Sequence, residues 1–207
     1  MLFRSKDLEI RGAGNLLGGE QSGHIADVGF DLYVRLVGEA VAEFRGDEPG
    51  EGVGEVKVEL PIEAHLPHDY VPSERLRLEM YKRLAEVRTD DDVDKINEEM
   101  LDRYGEPPVE VISLLLVARF RARARQAGVG EITIAGRNVR FAPVSLPESR
   151  QVRLMRMYPK SIIKQAADTI LVPRPGTPGK TGTPLEGIAL LEWARVVIDS
   201  VIDPPAV

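Results

Sequence analysis

The chain has no cysteine among its 207 residues, and it has only three histidines and one tryptophan. Without cysteine it can form no disulfide bond, no thiolate metal site and no thiol nucleophile. No stretch approaches the roughly 18 uninterrupted apolar residues of a membrane span. The first residues also lack the apolar core and small-residue cleavage site of a secretory signal. These absences favour a cytoplasmic protein that has no membrane partner.

The charges are unevenly distributed along a composition that is otherwise ordinary for a globular protein, with 43% hydrophobic and 29% charged residues. The net charge is −4 over residues 1–50, −9 over residues 51–118 and +7 over residues 119–207. Such asymmetry favours electrostatic docking, either onto a partner or between parts of a larger molecule. The alternative is an uneven but fully solvated surface.

Hydrophobic periodicity predicts a mixture of helices and short strands. The predicted helices are 29–45, the segment capped by Ser73, Thr89–Gly105, Pro108–Gln126, 147–159 and 185–202. The predicted strands are 56–64, a hairpin around Gly136–Arg137, 161–165 and 169–173. Because the order contains no regular βαβ repeat, we predict an α+β fold with a small, mostly antiparallel sheet, preceded by a loop–helix segment.

Two helices carry further local signals. Thr89 followed by Asp92 is a capping-box pattern. Gly105, with two prolines just beyond it, should end that helix. The next helix is nearly all apolar from Val109 to Val117 and is predicted to be the central buried helix.

The glycines of "KDLEIRGAGNLLGGEQSGHI" are close to a dinucleotide-binding fingerprint, with Gly12, Gly14 and Gly18 spaced G-x-G-x-x-x-G. That fingerprint needs a buried apolar strand before the first glycine and a helix beginning within the motif. Here "KDLEIR" alternates charges, and no amphipathic period follows the glycines. The sequence therefore argues against a nucleotide site in this segment.

A second phosphate-binding candidate is Gly179-Lys180-Thr181, which lies between a predicted strand and the closing helix. A Walker A loop needs a glycine five positions before Gly179, where this chain has Arg174. Two prolines in the loop also remove backbone N–H donors that would bind phosphate. A P-loop NTPase that uses Lys180 stays as a disfavoured alternative.

The remaining polar clusters do not form a catalytic set. His65 and His68 stand beside Asp69 in a proline-containing loop with no evident third metal ligand, so no metal site is predicted. The arginines at 119, 121, 123 and 125 end the central helix, where cations complement the helix dipole. Phosphate contact is the alternative for these arginines, and it would make the chain a free-standing duplex-DNA-binding module.

The segment "EEMLDRYG" places Glu99, Asp102 and Arg103 at positions i, i+3 and i+4 of a helix, where they share one face. One interpretation is an intrahelical ion pair of small energy. The other interpretation is a polar docking face. Periodicity does not distinguish the two.

Several blocks together resemble a known family. "DLEIRGAGNLLGGEQSGHI" is similar to the motif that follows the two motor lobes in RecG and in the bacterial transcription-repair coupling factors (Mfd). "VGFDLYVRLVGEAV", "LPHDYVPSERLRLEMYKRLA" and "EEMLDRYGEPP" resemble the C-terminal region of the coupling factors. The resemblance is strong over residues 6–45 and 56–118, is weak from 119 to 185, and returns in the final "LLEWARVVI".

The resemblance implies a C-terminal fragment of a large ATP-dependent translocase that moves on double-stranded DNA, displaces stalled RNA polymerase and recruits nucleotide excision repair. ATP and magnesium would bind the parent motor, so this fragment would hold no cofactor and would not itself be an enzyme. Residues 1–50 would be the end of the translocation motif and a linking helix, and residues 51–207 a regulatory clamp domain. The motif's residues would fall on Arg11, Gly12, Gly14, Glu20 and Gln21.

The family's C-terminal domain packs on an N-terminal module that resembles UvrB and masks the surface that binds UvrA. Carried onto this sequence, the contacts fall on Glu99, Asp102 and Arg103. The resemblance thus implies an autoinhibitory domain whose partner lies in the parent chain and with which UvrA competes. It also implies a bacterial, nucleoid-associated location.

Overall fold

Five helices and a five-stranded sheet build residues 56–179 and 182–204, the part of the chain that the computed structural model describes. The helices are α1 (Glu74–Glu86), α2 (Asp90–Tyr104), α3 (Val109–Gln126), α4 (Glu148–Met157) and α5 (Gly187–Val197), which a π-helical turn at Ile198–Ile202 extends. The strands are β1 (Lys57–Glu59), β2 (Glu131–Ala135), β3 (Asn138–Ala142), β4 (Ile162–Lys164) and β5 (Thr169–Pro173). The predicted α+β class is confirmed.

The strands are ordered β1-β2-β3-β5-β4 across the sheet. β1 runs parallel to β2, and the other three pairings are antiparallel, as predicted for a mostly antiparallel sheet. The β2–β3 hairpin turns at Gly136, whose φ of 62° is in the left-handed region that glycine adopts without strain. The hairpin predicted around Gly136–Arg137 is therefore confirmed.

One face of the sheet forms half of the core. Phe141 lies between its cross-strand partners Ile132 and Ile170, and Val139 is paired with Val172 in the same way. All five side chains are completely buried. They belong to one continuous hydrophobic cluster with apolar residues of the helices, so the helices cover this face.

The first strand is shorter than the predicted 56–64. Val56, Val58 and Leu60 are buried in the expected alternation, but β1 ends at Glu59. Pro61 has no N–H to donate to a strand ladder. The N–H of Ile62 donates instead to the carbonyl of Leu60 at 2.8 Å, which is a tight three-residue turn.

The predicted limits of α2 are confirmed. The hydroxyl of Thr89 accepts a hydrogen bond from the Asp92 N–H at 3.2 Å, and the Asp92 carboxylate accepts one from the Thr89 N–H at 3.0 Å. Gly105 ends the helix with a φ of 82°. Ser73 occupies the N-cap position of α1, as predicted, but its side chain makes no capping hydrogen bond.

Helix α3 differs from its prediction at one end. Its interior is buried, as expected for the central helix. Val109 and Ile112, however, are exposed, although they belong to the apolar run from Val109 to Val117. A helix turns a full circle every 3.6 residues, so an unbroken apolar run must also place some side chains on the outer face.

Several predictions lie outside the described residues. They are the translocation-motif residues Arg11, Gly12, Gly14, Glu20 and Gln21, the helix 29–45, and Lys180. Within residues 56–179 and 182–204, no helix has the length and apolar character needed to cross a membrane.

Candidate docking surface at the end of helix α2

The last turns of α2 are tied to α1 by a shared carboxylate. Glu99 accepts a hydrogen bond from Arg83 of α1 at 2.7 Å and another from Arg103 of its own helix at 2.8 Å. The hydrogen bond from Arg83 is the main cause that holds the pKa of Glu99 below its usual value, and Arg103 adds to it. The carboxylate is therefore ionised and held between two cations at neutral pH.

The three predicted docking residues do not act as one group in this structure. Glu99 and Arg103 form the intrahelical ion pair that was one of the two interpretations. Asp102 is exposed and makes no hydrogen bond or ion pair within the described part of the chain. Arg103 also lies over the ring of Tyr104, with its guanidinium carbon 5.6 Å from the ring centroid, which is a cation–π geometry. Of the three, only Asp102 is therefore without an internal interaction in the described residues.

Tyr70, to which the sequence analysis assigned no role, holds the end of α2 in place. Its hydroxyl donates to the Gly105 carbonyl at 2.9 Å, and the Met100 carbonyl lies 3.3 Å away as a second acceptor. Its ring contacts that of Tyr104 at a centroid distance of 5.7 Å. Burial, followed by the nearby charge of Glu106, raises the pKa of Tyr70, so the phenol keeps the proton that it donates. Carbonyls at a helix C-terminus need such donors.

The arginine run at the end of α3 is used inside the fold. Arg119 forms an ion pair with Asp94 of α2, and Asp90 lies 4.0 Å away. Arg125 donates to the Val87 carbonyl at 2.8 Å. Arg121 is buried. These arginines do more than complement a helix dipole, because they join α3 to neighbouring elements.

Arg123 makes the most extensive of these connections. Its guanidinium donates to Asp199 at 2.6 Å, to the Asp203 carboxylate at 2.8 Å and to the Asp203 carbonyl at 2.7 Å. Burial opposes the charge of Arg123, but these hydrogen bonds outweigh it and raise its pKa. Arg195 of α5 similarly approaches Asp90 at 3.6 Å. Part of the charge asymmetry of the sequence is therefore neutralised within the fold.

Several exposed cations outside the arginine run make no ion pair within the described residues. They include Arg153 and Arg156 on α4, with Lys160 and Lys164 beyond it. A duplex-DNA site would have to use exposed cations of this kind, since the arginine run is engaged with carboxylates and carbonyls. No row of exposed aromatic rings accompanies them in the described part, as most single-strand binders would require.

Backbone hydrogen bonds join the residues before and after the loop that contains Lys180, as in a hairpin. Thr177 donates its N–H to the Thr183 carbonyl at 2.7 Å, and Leu185 donates to Pro175 at 2.8 Å. Helix α5 begins only at Gly187. A Walker A loop instead leads directly into its helix, so the surrounding structure gives no support to the Lys180 alternative.

Metal-ligating residues do not cluster in the described ranges. His68 Nδ1 lies 3.8 Å from an oxygen of Asp69, and both side chains are exposed. No group of three or more His, Asp or Glu side chains that could hold an ion occurs within residues 56–179 and 182–204.

Replacing Glu99 with glutamine is expected to lower the unfolding free energy at pH 7 by about 0.5 to 1 kcal/mol, the usual range for such ion pairs. The pKa of Glu99 is lowered in the folded state. Its contribution is therefore complete above the unfolded glutamate pKa of about 4.3 and disappears as the pH falls through the lower folded value. Urea unfolding of wild type and variant should show a constant difference from about pH 5 to 8 that shrinks below about pH 4.

Glu98→Gln is the matched control, because Glu98 is an exposed neighbour with no ion pair in the described part. A Glu99→Gln difference that stays unchanged at about pH 3 would show that the loss is not ionic.

The sequence is similar to a known family model and to proteins of two bacterial genera. Residues 60–153 match the family model described as the TRCF domain. The chain is 43% identical, over 99% of its length, to a transcription-repair-coupling factor of Mycobacterium bovis, and 41% identical over 66% of its length to one of Staphylococcus epidermidis. It spans about 18% and 12%, respectively, of the length of these two relatives.

A solved structure has the same fold. The crystal structure of a C-terminal domain of a transcription-repair coupling factor aligns with a TM-score of 0.56, over 72% of this chain and 93% of that domain. The identity is 18%, so this likeness concerns the fold alone.

Proposed function

Because this chain belongs to the transcription-repair coupling factor family and matches its C-terminal region, we propose that it is a non-catalytic, autoinhibitory docking domain. Its partner in this proposal is the UvrB-like N-terminal module of its parent chain. Docking would cover the surface of that module that binds UvrA, so that UvrA and the domain compete. Release of the contact would then permit recruitment of nucleotide excision repair.

The observation that carries this proposal is the supported end of α2. Tyr70 binds the last carbonyls of the helix, and Arg83 and Arg103 hold Glu99 between them. This support fixes the backbone from which Asp102 projects into solvent. A backbone fixed in this way reduces the number of groups that must be ordered on binding, and a charged group presented from it adds specificity at an interface.

The expected contact is releasable. Interfaces between domains of one chain are modest in area and more polar than obligate interfaces, so relative motion of the domains is the normal expectation. Asp102 at the rim would contribute mainly to the rate and specificity of docking. This behaviour suits a domain that must open during repair.

We further propose that the parent chain is an ATP-dependent translocase on double-stranded DNA that displaces stalled RNA polymerase in the bacterial cytoplasm, at the nucleoid. Its motor would bind ATP and magnesium. Arg11 and Gln21, with Gly12, Gly14 and Glu20 of the same motif, would couple that motor to movement. These residues lie outside the described part, so their role stays a prediction from the resemblance.

Asp102→Lys is expected to weaken binding of the purified 207-residue chain to the separately purified N-terminal module of its parent by about tenfold, which equals about 1.4 kcal/mol. Asp102 has no internal partner in the described residues, so the substitution should leave the unfolding free energy within about 0.5 kcal/mol of wild type. The double variant with Arg103→Glu, which also breaks the Arg103–Glu99 ion pair, should likewise bind more weakly than wild type. Isothermal titration calorimetry measures both.

The control is the pair Glu192→Lys and Arg153→Glu, which makes equivalent reversals at exposed positions of α5 and α4. It should bind like wild type. Unchanged affinity in both the single and the double variant at α2 would contradict the assignment of this turn to the interface.

A further inference from the structure

Three large apolar side chains stand in solvent where α2 and α3 meet. Val109 is 61% exposed, Leu101 47% and Ile112 43%. Isolated exposed apolar residues are ordinary on a protein surface, whereas a contiguous group often marks an interaction site. The relative position of these three therefore matters.

The contacts between α2 and α3, together with helical spacing, indicate that the three lie on neighbouring sides of the two helices. The two helices are antiparallel, because Gln126 near the end of α3 donates to the Arg88 carbonyl just before α2 at 3.0 Å, and Arg119 pairs with Asp94 one to two turns further along. Leu101 lies seven positions after Asp94, and Ile112 lies seven positions before Arg119.

Seven residues are about two helical turns. Leu101 therefore lies on the same side of α2 as Asp94, and Ile112 lies on the same side of α3 as Arg119. Val109 is three positions before Ile112 and occupies the same side of α3. We call Leu101, Val109 and Ile112 the seam patch.

The charges around the seam patch are almost all negative. Glu98 and Asp102 adjoin Leu101 on α2, and Glu106 and Glu110 adjoin Val109. None of these four carboxylates forms a hydrogen bond or ion pair within the described residues. Two cations lie nearby, Arg103 and Arg83, and both are paired with Glu99. The surface is thus an apolar centre with an acidic rim.

We propose that the seam patch is the affinity-determining centre of the docking surface, and that it receives an apolar side chain of a protein surface whose own rim is basic. This inference rests on the proposed function, with the N-terminal module of the parent chain as the partner. Protein interfaces commonly combine an apolar, well-packed centre that supplies most of the energy with a polar rim that supplies little.

The acidic rim determines which kinds of partner can bind the seam patch. Nucleic acid and anionic membranes carry negative charge and would be repelled by four uncompensated carboxylates. A second copy of the chain docked patch to patch would bring two acidic rims together, which is also unfavourable. A protein with lysine or arginine around an apolar anchor satisfies both the centre and the rim.

The test titrates the purified N-terminal module into the 207-residue chain carrying Leu101→Ser or Ile112→Ser. Each variant is expected to raise the Kd by at least about tenfold. Because about half of each side chain is buried, the variants should lose no more than about 1.5 kcal/mol of unfolding free energy in urea and stay folded in the titration.

Val152→Ser is the matched control, since Val152 is an exposed apolar residue of α4, away from α2 and α3. It should bind like wild type, and a loss equal to that of Leu101→Ser would overturn the assignment to the seam patch. If wild type binds the module and both patch variants bind equally well, the seam patch proposal fails while the docking role stands.

If wild type does not bind the module at all, both proposals fail. Sedimentation velocity of the chain alone tests whether the seam patch instead binds a second copy of the chain. A dimer that Ile112→Ser dissociates would assign the patch to a second copy and overturn the inference.

Discussion

Truncating Phe141 to alanine is expected to lower the unfolding free energy by about 3 to 5 kcal/mol, the cost of removing a fully buried phenylalanine and leaving a cavity. Phe141 lies on the central strand β3, between Ile132 and Ile170, with no exposed surface. The ladder holds its backbone on both sides, so the neighbours cannot collapse into the vacated volume. Urea unfolding followed by circular dichroism measures the loss.

This variant also shows how much apparent binding is lost through reduced stability alone. Domains of ordinary stability have about 5 to 15 kcal/mol in total, so Phe141→Ala removes a large share of the stability without touching the α2 surface. It should therefore reduce apparent binding only in proportion to the unfolded fraction that it produces. Met155→Ala on the exposed side of α4 is its control and should stay within about 0.5 kcal/mol of wild type. A loss below about 1 kcal/mol for Phe141→Ala would contradict the central position of β3.

Replacing Arg123 with alanine is expected to cost about 2 to 3 kcal/mol, the range for hydrogen bonds to charged groups. Arg123 joins α3 to Asp199 and Asp203 beyond α5, and its side chain is 17% exposed. Its removal leaves two carboxylates that repel each other near the end of the fold. Urea unfolding at pH 7 measures the loss.

The same variant separates the internal role from the phosphate-binding alternative. If Arg123 contacted DNA phosphates, its removal would reduce the salt slope of DNA binding by about one. We expect the slope of any residual DNA binding to be unchanged. Arg153→Ala is the control, since that arginine is exposed and unpaired in the described part, and it should be stability-neutral. A neutral Arg123→Ala with a reduced salt slope would restore the DNA alternative.

Local features of this fold could be predicted because they depend on neighbouring residues. The Thr89–Asp92 box, the stop at Gly105 and the turn at Gly136 each follow from the chemistry of a few adjacent positions. The mixed order of elements was enough to predict the α+β class.

Features that depend on distant residues could not be predicted in the same way. Arg83 reaches Glu99 across two helices, and Tyr70 reaches Gly105 over a separation of 35 residues. Helical periodicity correctly placed Glu99 and Arg103 within reach of each other, but it could not show that Arg83 also binds Glu99. The apolar run of α3 also does not indicate which side of the helix is buried. The exposure of Val109 and Ile112 could therefore be seen only in the folded structure.

The position of β1 has a consequence for where this domain can be cut. The family match begins at residue 60 and ends at residue 153, but β1 precedes it and β5 follows it. A polypeptide trimmed to the match would lose the buried side chains of Val56 and Val58 and would expose the edge of β2. It would also lose β5, which lies between β3 and β4. The family-model match is thus shorter than the folded unit that contains it, and the flanking strands must stay attached when the domain is studied.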